Sequence, residues 1–393
     1  MARKRNTRGA QGAGTIRQRK DGRWEARYTV GRDPGTGKQV QRSIYASTQQ
    51  EARKKLAQIT AAIDSGIYQE PCKMTVGQWL DIWTADYLGG VKSSTAFLYT
   101  EQIRVHIKPA IGAVKLEALN PHMIQGFYNH LSSKREEKKA LSPKSVKNVH
   151  GILHKALQQA VDIGYLRYNP ADSCTLPRLE KKEIYPMNEE QISAFLKAIK
   201  GHRHEILYEV ALFTGMREGE ILGLMWDCVD FEKGILTIKR QLRREMKKGG
   251  KYYVTTPKNG KPRTLMPAPW VMQLLRAQKV RQTEQRLQIG ELWENSGMVF
   301  TNMTGGYLSY RTVYDCFKRI VATIGAPELR FHDLRHTFAV TSLRAGDDIK
   351  TVQGNLGHHT AAFTLDVYGH VTEEMKKDSA QRMEGFIRGV IDL

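Results

Sequence analysis

Tyr368 follows His358 by ten residues near the end of this chain, in the segment LGHHTAAFTLDVYGH. Two segments upstream, TGMREGEI and HDLRH, supply Arg217 and Arg335. A phenolic oxygen can attack phosphorus, and a phosphodiester under attack gathers negative charge on its non-bridging oxygens. Planar guanidinium groups match those oxygens with two parallel hydrogen bonds each. These residues therefore predict a nucleophile beside cations that stabilise an attacked phosphate.

The charge of the chain points to a polyanionic partner. Its 393 residues carry a formal net charge of +21, and the first 66 residues hold 15 Lys or Arg against 5 Asp or Glu. Nucleic acid is the commonest polyanion attracted by such a field, although a ribosomal or membrane-surface protein would share it. No apolar run approaches the roughly 20 residues of a membrane span, and the N-terminus lacks the apolar segment of a signal peptide. We therefore expect a cytoplasmic protein that binds nucleic acid.

Alternating side chains predict a small three-stranded sheet at the N-terminus. Its strands cover residues 14–20, 23–30 and 39–46. Asp21 and Gly22 supply the positive φ angles of a tight hairpin between the first two strands. Apolar positions spaced as on a helix follow over residues 48–63, and this helix would cover the apolar face of the sheet.

The other face of the predicted sheet is largely basic. In the second strand, apolar residues alternate with Arg23, Glu25, Arg27 and Thr29. A solvated surface would have the same pattern, but five arginines on one small sheet favour insertion into a DNA groove. They are Arg17, Arg19, Arg23, Arg27 and Arg42.

A linker over residues 67–75 and a helical domain over residues 76–178 follow. The amphipathic stretches of this domain include residues 93–107, 121–132 and 142–164. Ser142 caps the last of them, with Pro143 in its first turn. Lys144 and Lys147 lie at its start, where they could contact phosphates without reading bases, and a solvated surface would look the same.

The portion from residue 179 to residue 393 is predicted to be mainly helical, with short strands at its centre. Its strands cover residues 234–240, 252–256 and 262–267. Residues 258–261 form a turn between the last two, which we interpret as a hairpin tip. Helices resume at about Ala268. The fold class is therefore mainly α with small β-sheets, an α+β protein.

Four segments, in this order and spacing, resemble the signature blocks of tyrosine recombinases, the phage and conjugative-transposon integrase family. They are TGMREGEILGL, the lysine turn in TTPKNGKPR, HDLRHTFA and LGHHTAAFTLDVYGH. The resemblance implies an arm-site DNA-binding domain over residues 1–66, a helical core-binding domain over 76–178 and a catalytic domain over 179–393. The helical and catalytic domains would close around the core site as a clamp.

The resemblance also implies roles for the candidate residues. Tyr368 would attack the phosphate, form a covalent 3′-phosphotyrosine and release a 5′ hydroxyl, so that no ATP is needed. Arg217 and Arg335 would clamp the pentavalent phosphorane. Lys258 would protonate the leaving 5′ oxygen, with Lys261 as its competitor for this role, because the register of the family's turn lysine varies.

The remaining positions are two catalytic histidines and a carboxylate that orients the cations rather than being a catalyst. By resemblance His332 is the general base for the tyrosine, His358 donates a hydrogen bond to a non-bridging oxygen, and Glu220 orients the cations. His332 and His336 have the spacing of a zinc pair, but Asp-Leu-Arg lies between them and no glutamate base is present. The four cysteines lie far apart without CxxC spacing and are interpreted as reduced. We expect no metal and no cofactor.

The last segment carries an apolar stripe at helical spacing. It consists of Met383, Phe386, Ile387, Val390 and Ile391. The stripe could pack on its own domain, and the resemblance favours docking in trans on a neighbouring protomer of a homotetramer. The implied function is site-specific recombination of double-stranded DNA attachment sites through a Holliday junction, with its direction set by DNA-bending and excision accessory proteins or by DNA architecture. The alternatives are an inactive DNA-binding regulator with this fold and a metal-dependent nuclease, for which no acidic cluster is present.

Overall fold

The computed structural model describes residues 14–65, 68, 73–133, 140–180, 186–247, 249–257, 260–357 and 372–391. The chain divides into two compact units, Met1–Leu179 and Glu180–Leu393. Helices predominate, accompanied by short antiparallel sheets, which confirms the predicted α+β class. Over the described residues, no helix is both long enough and apolar enough to cross a membrane.

The first unit begins with the predicted sheet and helix. These elements are β1 (Thr15–Gln18), β2 (Trp24–Arg32), β3 (Gln39–Ala46) and α1 (Gln49–Asp64). The strands are antiparallel in the order β1-β2-β3. Thr48 caps α1 by accepting a hydrogen bond from the Glu51 backbone N–H at 3.2 Å. Ala26 and Tyr28 of β2 pack with Ala52 and Leu56 of α1, so the helix covers the apolar face as predicted.

The strand register decides which arginines share a face. Arg17 lies opposite Glu25, whereas Arg42 lies opposite Tyr28, whose side chain is buried under α1. Neighbouring strands present paired residues on the same side of a sheet. Arg42 is therefore on the sheet, as expected, but not on the face that carries Arg17 and Arg27.

The rest of the first unit is helical. It contains α2 (Val76–Asp86), α3 (Ser93–Gln102), a π-helical turn (Ile103–Ile107), α4 (Lys108–Ile111), a 3-10 turn (Leu116–Ala118), α5 (Pro121–Ser132) and α6 (Pro143–Asp162). Trp79, Trp83 and Leu153 are at most 1% exposed and belong to a core separate from that of the sheet. Ser142 caps α6 as predicted.

Eight helices of the second unit are described. They are α7 (Glu189–Ile199), α8 (Glu205–Thr214), α9 (Glu218–Leu222), α10 (Pro269–Ile289), α11 (Tyr310–Thr323), α12 (Phe331–Arg344), α13 (Ile349–Leu356) and α14 (Thr372–Ile391). Single 3-10 turns cover Trp226–Cys228 and Gly290–Leu292. Phe195, Tyr208 and Phe317 pack together at the centre of the main core. This core joins α7, α8 and α11, and Phe331 at the start of α12 packs against it.

The strands of the second unit pair differently from the prediction. They are β4 (Val229–Asp230), β5 (Ile235–Ile238), β6 (Gln241–Arg244), β7 (Tyr252–Thr255) and β8 (Arg263–Leu265). One sheet has the order β4-β5-β8 and the other pairs β6 with β7. The predicted hairpin across residues 258–261 is therefore wrong. Strand β6, whose QLRR sequence gives no strand signal, takes β7 as its partner, while Leu265 of β8 pairs with the buried Leu236.

Candidate active site

The start of α12 presents His332 and Arg335 three positions apart, and therefore on one side of the helix. Asp333 fixes this start, because its carboxylate accepts hydrogen bonds from the Arg330 backbone N–H and from Arg330 Nη2, each at 2.7 Å. Burial raises the pKa of Asp333, but the bonds from Arg330 outweigh it and hold the pKa below its usual value. Neither Arg330 nor Asp333 was predicted. The signal for both is a basic residue three positions before an acidic one at a helix start.

Arg335 is almost entirely enclosed, at 2% exposed. Its Nη1 donates to the Gly215 carbonyl at 2.8 Å and its Nη2 to the Leu356 carbonyl at 2.6 Å. A buried guanidinium is tolerated only when its donors are paired. Arg335 therefore ties α12 to the ends of α8 and α13.

Gly215 makes the turn that carries Arg217 into the site. Its φ of +61° is left-handed, and a Cβ there would lie 2.4 Å from the Phe338 ring and 2.8 Å from Leu356 Cδ2. Only glycine fits this position. The turn ends α8, and Arg217 then stands at the start of α9, as predicted, with its side chain 24% exposed.

Glu220 lies beneath Arg217 as the resemblance implied, and it holds a second arginine that was not predicted. Its carboxylate accepts from Arg217 Nη1 at 2.8 Å and from both terminal nitrogens of Arg263 at 2.8 and 2.6 Å. Burial would raise the pKa of Glu220, but the bonds and charges of Arg263 and Arg217 outweigh it and lower the pKa to about 2. The sequence signal for Arg263 is an arginine inside the short strand PRTLMP.

Three arginines from three elements hold three successive carbonyls at the end of α13. They are Arg263 Nε to the Asn355 oxygen at 3.0 Å, Arg335 Nη2 to the Leu356 oxygen at 2.6 Å, and Arg217 Nη2 to the Gly357 oxygen at 3.1 Å. The C-terminal carbonyls of a helix carry partial negative charge, which these cations neutralise. The arginines therefore fix the backbone that leads directly into His358.

His332 is neutral near pH 7. The residue is exposed at the start of α12. Desolvation by the protein packed around it, with the charges of His336 and Arg335, lowers its pKa to about 4. The charge of Arg217 lowers this pKa in the same direction. A neutral imidazole can accept a proton or share a hydrogen bond.

Three predicted catalytic residues, Arg217, His332 and Arg335, therefore lie in the second unit together with Glu220, the predicted orienting carboxylate. The other three, Lys258, His358 and Tyr368, lie outside the described residues. Lys261, the competitor of Lys258, is exposed two positions before Arg263.

The predicted DNA-binding arginines of the first unit surround a buried carboxylate. Glu25 is 3% exposed, and it accepts from Arg17 Nε at 2.7 Å and from Arg27 Nε at 3.1 Å. Arg19 lies over the Tyr45 ring, with its Cζ 5.3 Å from the ring centroid. We call the surface formed by Arg17, Arg19, Glu25, Arg27 and Tyr45 the arginine face.

The other predicted DNA contacts are Arg23, Arg42, Lys144 and Lys147. Arg23 forms an ion pair with Asp21 in the hairpin turn at 3.0 Å, and Arg42 lies on the opposite face of the sheet. Lys144 is exposed and Lys147 half-buried at the start of α6. The structure therefore does not bring the predicted DNA contacts into one surface.

The convergent residues of the second unit combine fixed guanidinium groups with a neutral imidazole. Guanidinium groups stabilise the charge that develops on an attacked phosphate, and the imidazole can take part in proton transfer. Across the described ranges, no three His, Cys, Asp or Glu side chains are grouped as metal ligands. The arrangement suits electrostatic catalysis at phosphorus.

Two sequence families match the chain. The Phage integrase family matches residues 184–375, and the family described as Phage integrase, N-terminal SAM-like domain matches residues 75–132. A tyrosine recombinase XerC-like protein of Caldanaerobacter subterraneus subsp. tengcongensis is 30% identical over 376 residues, which cover 90% of this chain and 94% of that protein. The ICEBs1 integrase of Bacillus subtilis is 24% identical over 95% of this chain and all of its own length.

Solved integrase structures share the fold. The Tn1549 transposon integrase in complex with a circular intermediate DNA superposes with a TM-score of 0.66 at 22% identity, covering 79% of this chain and 99% of its own. A lambda integrase tetramer bound to a Holliday junction gives a TM-score of 0.57 at 20% identity, covering 88% and 96%.

Proposed function

Since the chain belongs to the phage integrase family of tyrosine recombinases, we propose that this site-specific DNA recombinase cuts and rejoins DNA through Tyr368. The phenolic oxygen attacks phosphorus, a bond to the 3′ phosphate forms, and the bond to the 5′ oxygen breaks. The 5′ hydroxyl leaves with a proton and later attacks the phosphotyrosine. One ester replaces another at each step, so the reaction needs neither ATP nor a metal ion.

The observation that carries this proposal is the convergence of Arg217 and Arg335 beside the neutral His332. The two guanidinium groups come from α12 and from the start of α9, and both hold the end of α13. Their fixed positions let them stabilise the phosphorane without reorganisation during the reaction. Glu220 keeps Arg217 in place.

Two proton transfers remain. His332 accepts the phenolic proton, for which its neutral imidazole is suited. Lys258 protonates the leaving 5′ oxygen, with Lys261 as the alternative donor, and His358 donates a hydrogen bond to a non-bridging oxygen without transferring its proton. Single substitutions of the two lysines distinguish them when each variant is tested on DNA with sulfur in place of the leaving 5′ oxygen. A thiolate leaves without protonation, so this substrate restores cleavage only to the variant that lacks the general acid.

The test of this function is covalent trapping on a nicked duplex that the full-length chain has enriched from a random-sequence pool. We expect an adduct that survives denaturant and forms in the presence of a chelator. Tyr368→Phe should abolish it, whereas Tyr314→Phe, which alters an exposed tyrosine of α11, should not. An adduct that persists in Tyr368→Phe, or cleavage that requires metal, would contradict the proposal.

Double-stranded DNA is the proposed partner of both units. The arginine face would bind arm sites, and Lys144 and Lys147 would contact core-site phosphates. The outward-facing arginines and the net charge of +10 over the first 66 residues support this assignment. The active assembly would be a homotetramer on DNA, with accessory proteins that bend DNA and set direction.

The last helix, α14, is proposed to dock in trans on a neighbouring protomer. Its apolar stripe is exposed, with Phe386 and Val390 each at 68%. Exposed apolar stripes of this kind mark protein interfaces. Deleting Glu384–Leu393 should abolish synapsis, and Phe386→Glu should weaken it. Gln381→Glu adds the same charge away from the stripe and should not. Unchanged synapsis after the deletion would refute docking in trans.

A further inference from the structure

The arginine face contains a carboxylate at its centre, which is unexpected on a surface proposed to bind a polyanion. Glu25 is 3% exposed. Its Oε2 accepts from Arg17 Nε at 2.7 Å, and its Oε1 accepts from Arg27 Nε at 3.1 Å and from the Ser43 hydroxyl at 2.9 Å. The three donors come from three different strands, so the carboxylate joins the whole sheet on this side.

Both arginines bond to Glu25 through the same inner atom. Nε is the nitrogen nearest the backbone, and the two Nη groups lie beyond it. Within the described residues, no hydrogen-bond partner is found for the Nη groups of Arg17 or Arg27. The side chains of Arg17 and Arg27 are 60% and 43% exposed, whereas that of Glu25 is 4% exposed. The inner end of each guanidinium is therefore fixed and its outer end faces solvent.

We propose that Glu25 is a positioning residue for DNA recognition, which fixes Arg17 and Arg27 so that their outer nitrogens meet a DNA groove in a set register. This inference rests on the proposed binding of DNA by the arginine face. It adds that sequence-specific binding by this face requires a negative charge beneath it.

The geometry explains why arginine occupies both positions. A guanidinium can donate inward through Nε and outward through two Nη groups at once, whereas a lysine ammonium is a point charge that must choose between carboxylate and DNA. Holding the side chains in place before binding also reduces the rotamer entropy that the two arginines lose on binding.

Charge alone and positioning predict opposite signs for the loss of Glu25. Removing a negative charge from a basic surface raises the affinity for any DNA. If Glu25 positions the two arginines, its loss weakens binding to the preferred sequence, because a well-formed contact between a side chain and a base depends on fixed geometry. The comparison of specific with random-sequence DNA therefore separates the two effects.

The experiment uses the full-length chain and two duplexes, one enriched by it from a random-sequence pool and one of scrambled sequence. We expect Glu25→Gln to bind the enriched duplex about tenfold more weakly and the scrambled duplex no more weakly than the unaltered chain. Asp64→Asn is the matched control, because it removes the same charge from α1, on the other side of the sheet. Its affinity for each of the two duplexes should equal that of the unaltered chain.

Each other outcome counts against a stated claim. Binding of the enriched duplex that is unchanged or tighter in Glu25→Gln overturns the inference. If Arg17→Ala and Arg27→Ala also leave binding of both duplexes unchanged, the proposed DNA-binding function of the face fails instead. Arg17→Lys covers the case in which Glu25→Gln unfolds the sheet, because it keeps both charges. Specific binding should still fall in Arg17→Lys, and retained specificity overturns the inference.

Discussion

The arginine face and the candidate active site both contain a buried carboxylate that joins two arginines, but the arginines are exposed in the first region and enclosed in the second. In each, a carboxylate at most 3% exposed joins two arginines from separate elements: Glu25 with Arg17 and Arg27, and Glu220 with Arg217 and Arg263. The side chains on the arginine face are 60% and 43% exposed, whereas those around Glu220 are 24% and 13% exposed.

The difference between the two regions lies in what the free ends of the guanidinium groups contact. On the arginine face they point to solvent, where a groove can reach them. In the active site they hold the carbonyls at the end of α13. Under the two proposals, a buried carboxylate preorganises arginines for recognition at a surface and, where they are enclosed, for stabilising a reaction. Variants that alter the arginine face should change DNA binding, and variants that alter the active site should change DNA cleavage.

The largest expected effect is that of Arg335→Ala on cleavage. Loss of this enclosed guanidinium removes a transition-state cation and two backbone contacts, so the rate of adduct formation should fall about a thousandfold. Arg335→Lys keeps the charge without the fork and should recover little. Arg17→Ala is the counterpart on the arginine face, and its effect should appear in the Kd for DNA and in its salt dependence. Near-normal cleavage by Arg335→Ala would remove the distinction between the regions.

The next effect concerns stability. Arg263→Ala leaves the buried Glu220 paired only with Arg217, and losing one partner of a buried ion pair costs on the order of 3 kcal/mol of unfolding free energy. Denaturant unfolding of the full chain measures it. The control is Arg240→Ala, which breaks the more exposed ion pair with Asp227 and should cost less than about 1 kcal/mol. Equal losses would mean that Glu220 is not a buried anchor.

The sequence predicted those elements whose signals lie within the element itself or in the turn next to it. The N-terminal sheet was found because alternation and the Asp21-Gly22 turn fix it, and α6 because Ser142 and Pro143 mark its start. The motif segments located Arg217, Glu220, His332 and Arg335, which the structure brings together.

Tertiary contacts determine what the sequence did not reveal. Strand β6 packs against α9 so closely that a Cβ at Gly223 would lie 2.4 Å from the Leu242 nitrogen. That contact is absent from the local pattern QLRR. Arg263 meets a carboxylate 43 positions away in the sequence, and the buried Glu25 is bonded by Arg17 and Ser43 of two other strands. Residues whose environment is built by distant segments have no signal in a single sequence.

Glu218 differs from Glu25 and Glu220 because no arginine pairs with its carboxylate among the described residues. Its Oε1 is buried without a hydrogen-bond partner among the described residues, and burial raises its pKa to about 7. Between about pH 4.5 and pH 7 the native state binds more protons than the unfolded state, so stability falls as the pH rises through this range. Glu218→Gln should be more stable by on the order of 2 kcal/mol at about pH 8 and equal below about pH 4.

Thermal or denaturant unfolding across pH measures this difference, and Glu232→Gln, at an exposed position, is the control. A stabilisation that does not depend on pH would show that the charge of Glu218 is not its source. The contrast with Glu220, whose pKa is about 2, would then not result from its arginines.

The smallest expected effect is that of pH on adduct formation and DNA binding, which should be absent near neutral pH. His332 has a pKa lowered to about 4 by burial and nearby positive charge, so it stays neutral above that pH and is lost as a base only below it. Glu25, with a pKa lowered to about 2, stays ionised over the same range. Adduct formation and specific DNA binding should therefore both be flat between about pH 5 and pH 7.5. A midpoint near pH 6.5 that disappears in His332→Gln would show that desolvation and the nearby cations do not lower the pKa of the imidazole, and that the active site is no more enclosed than the arginine face.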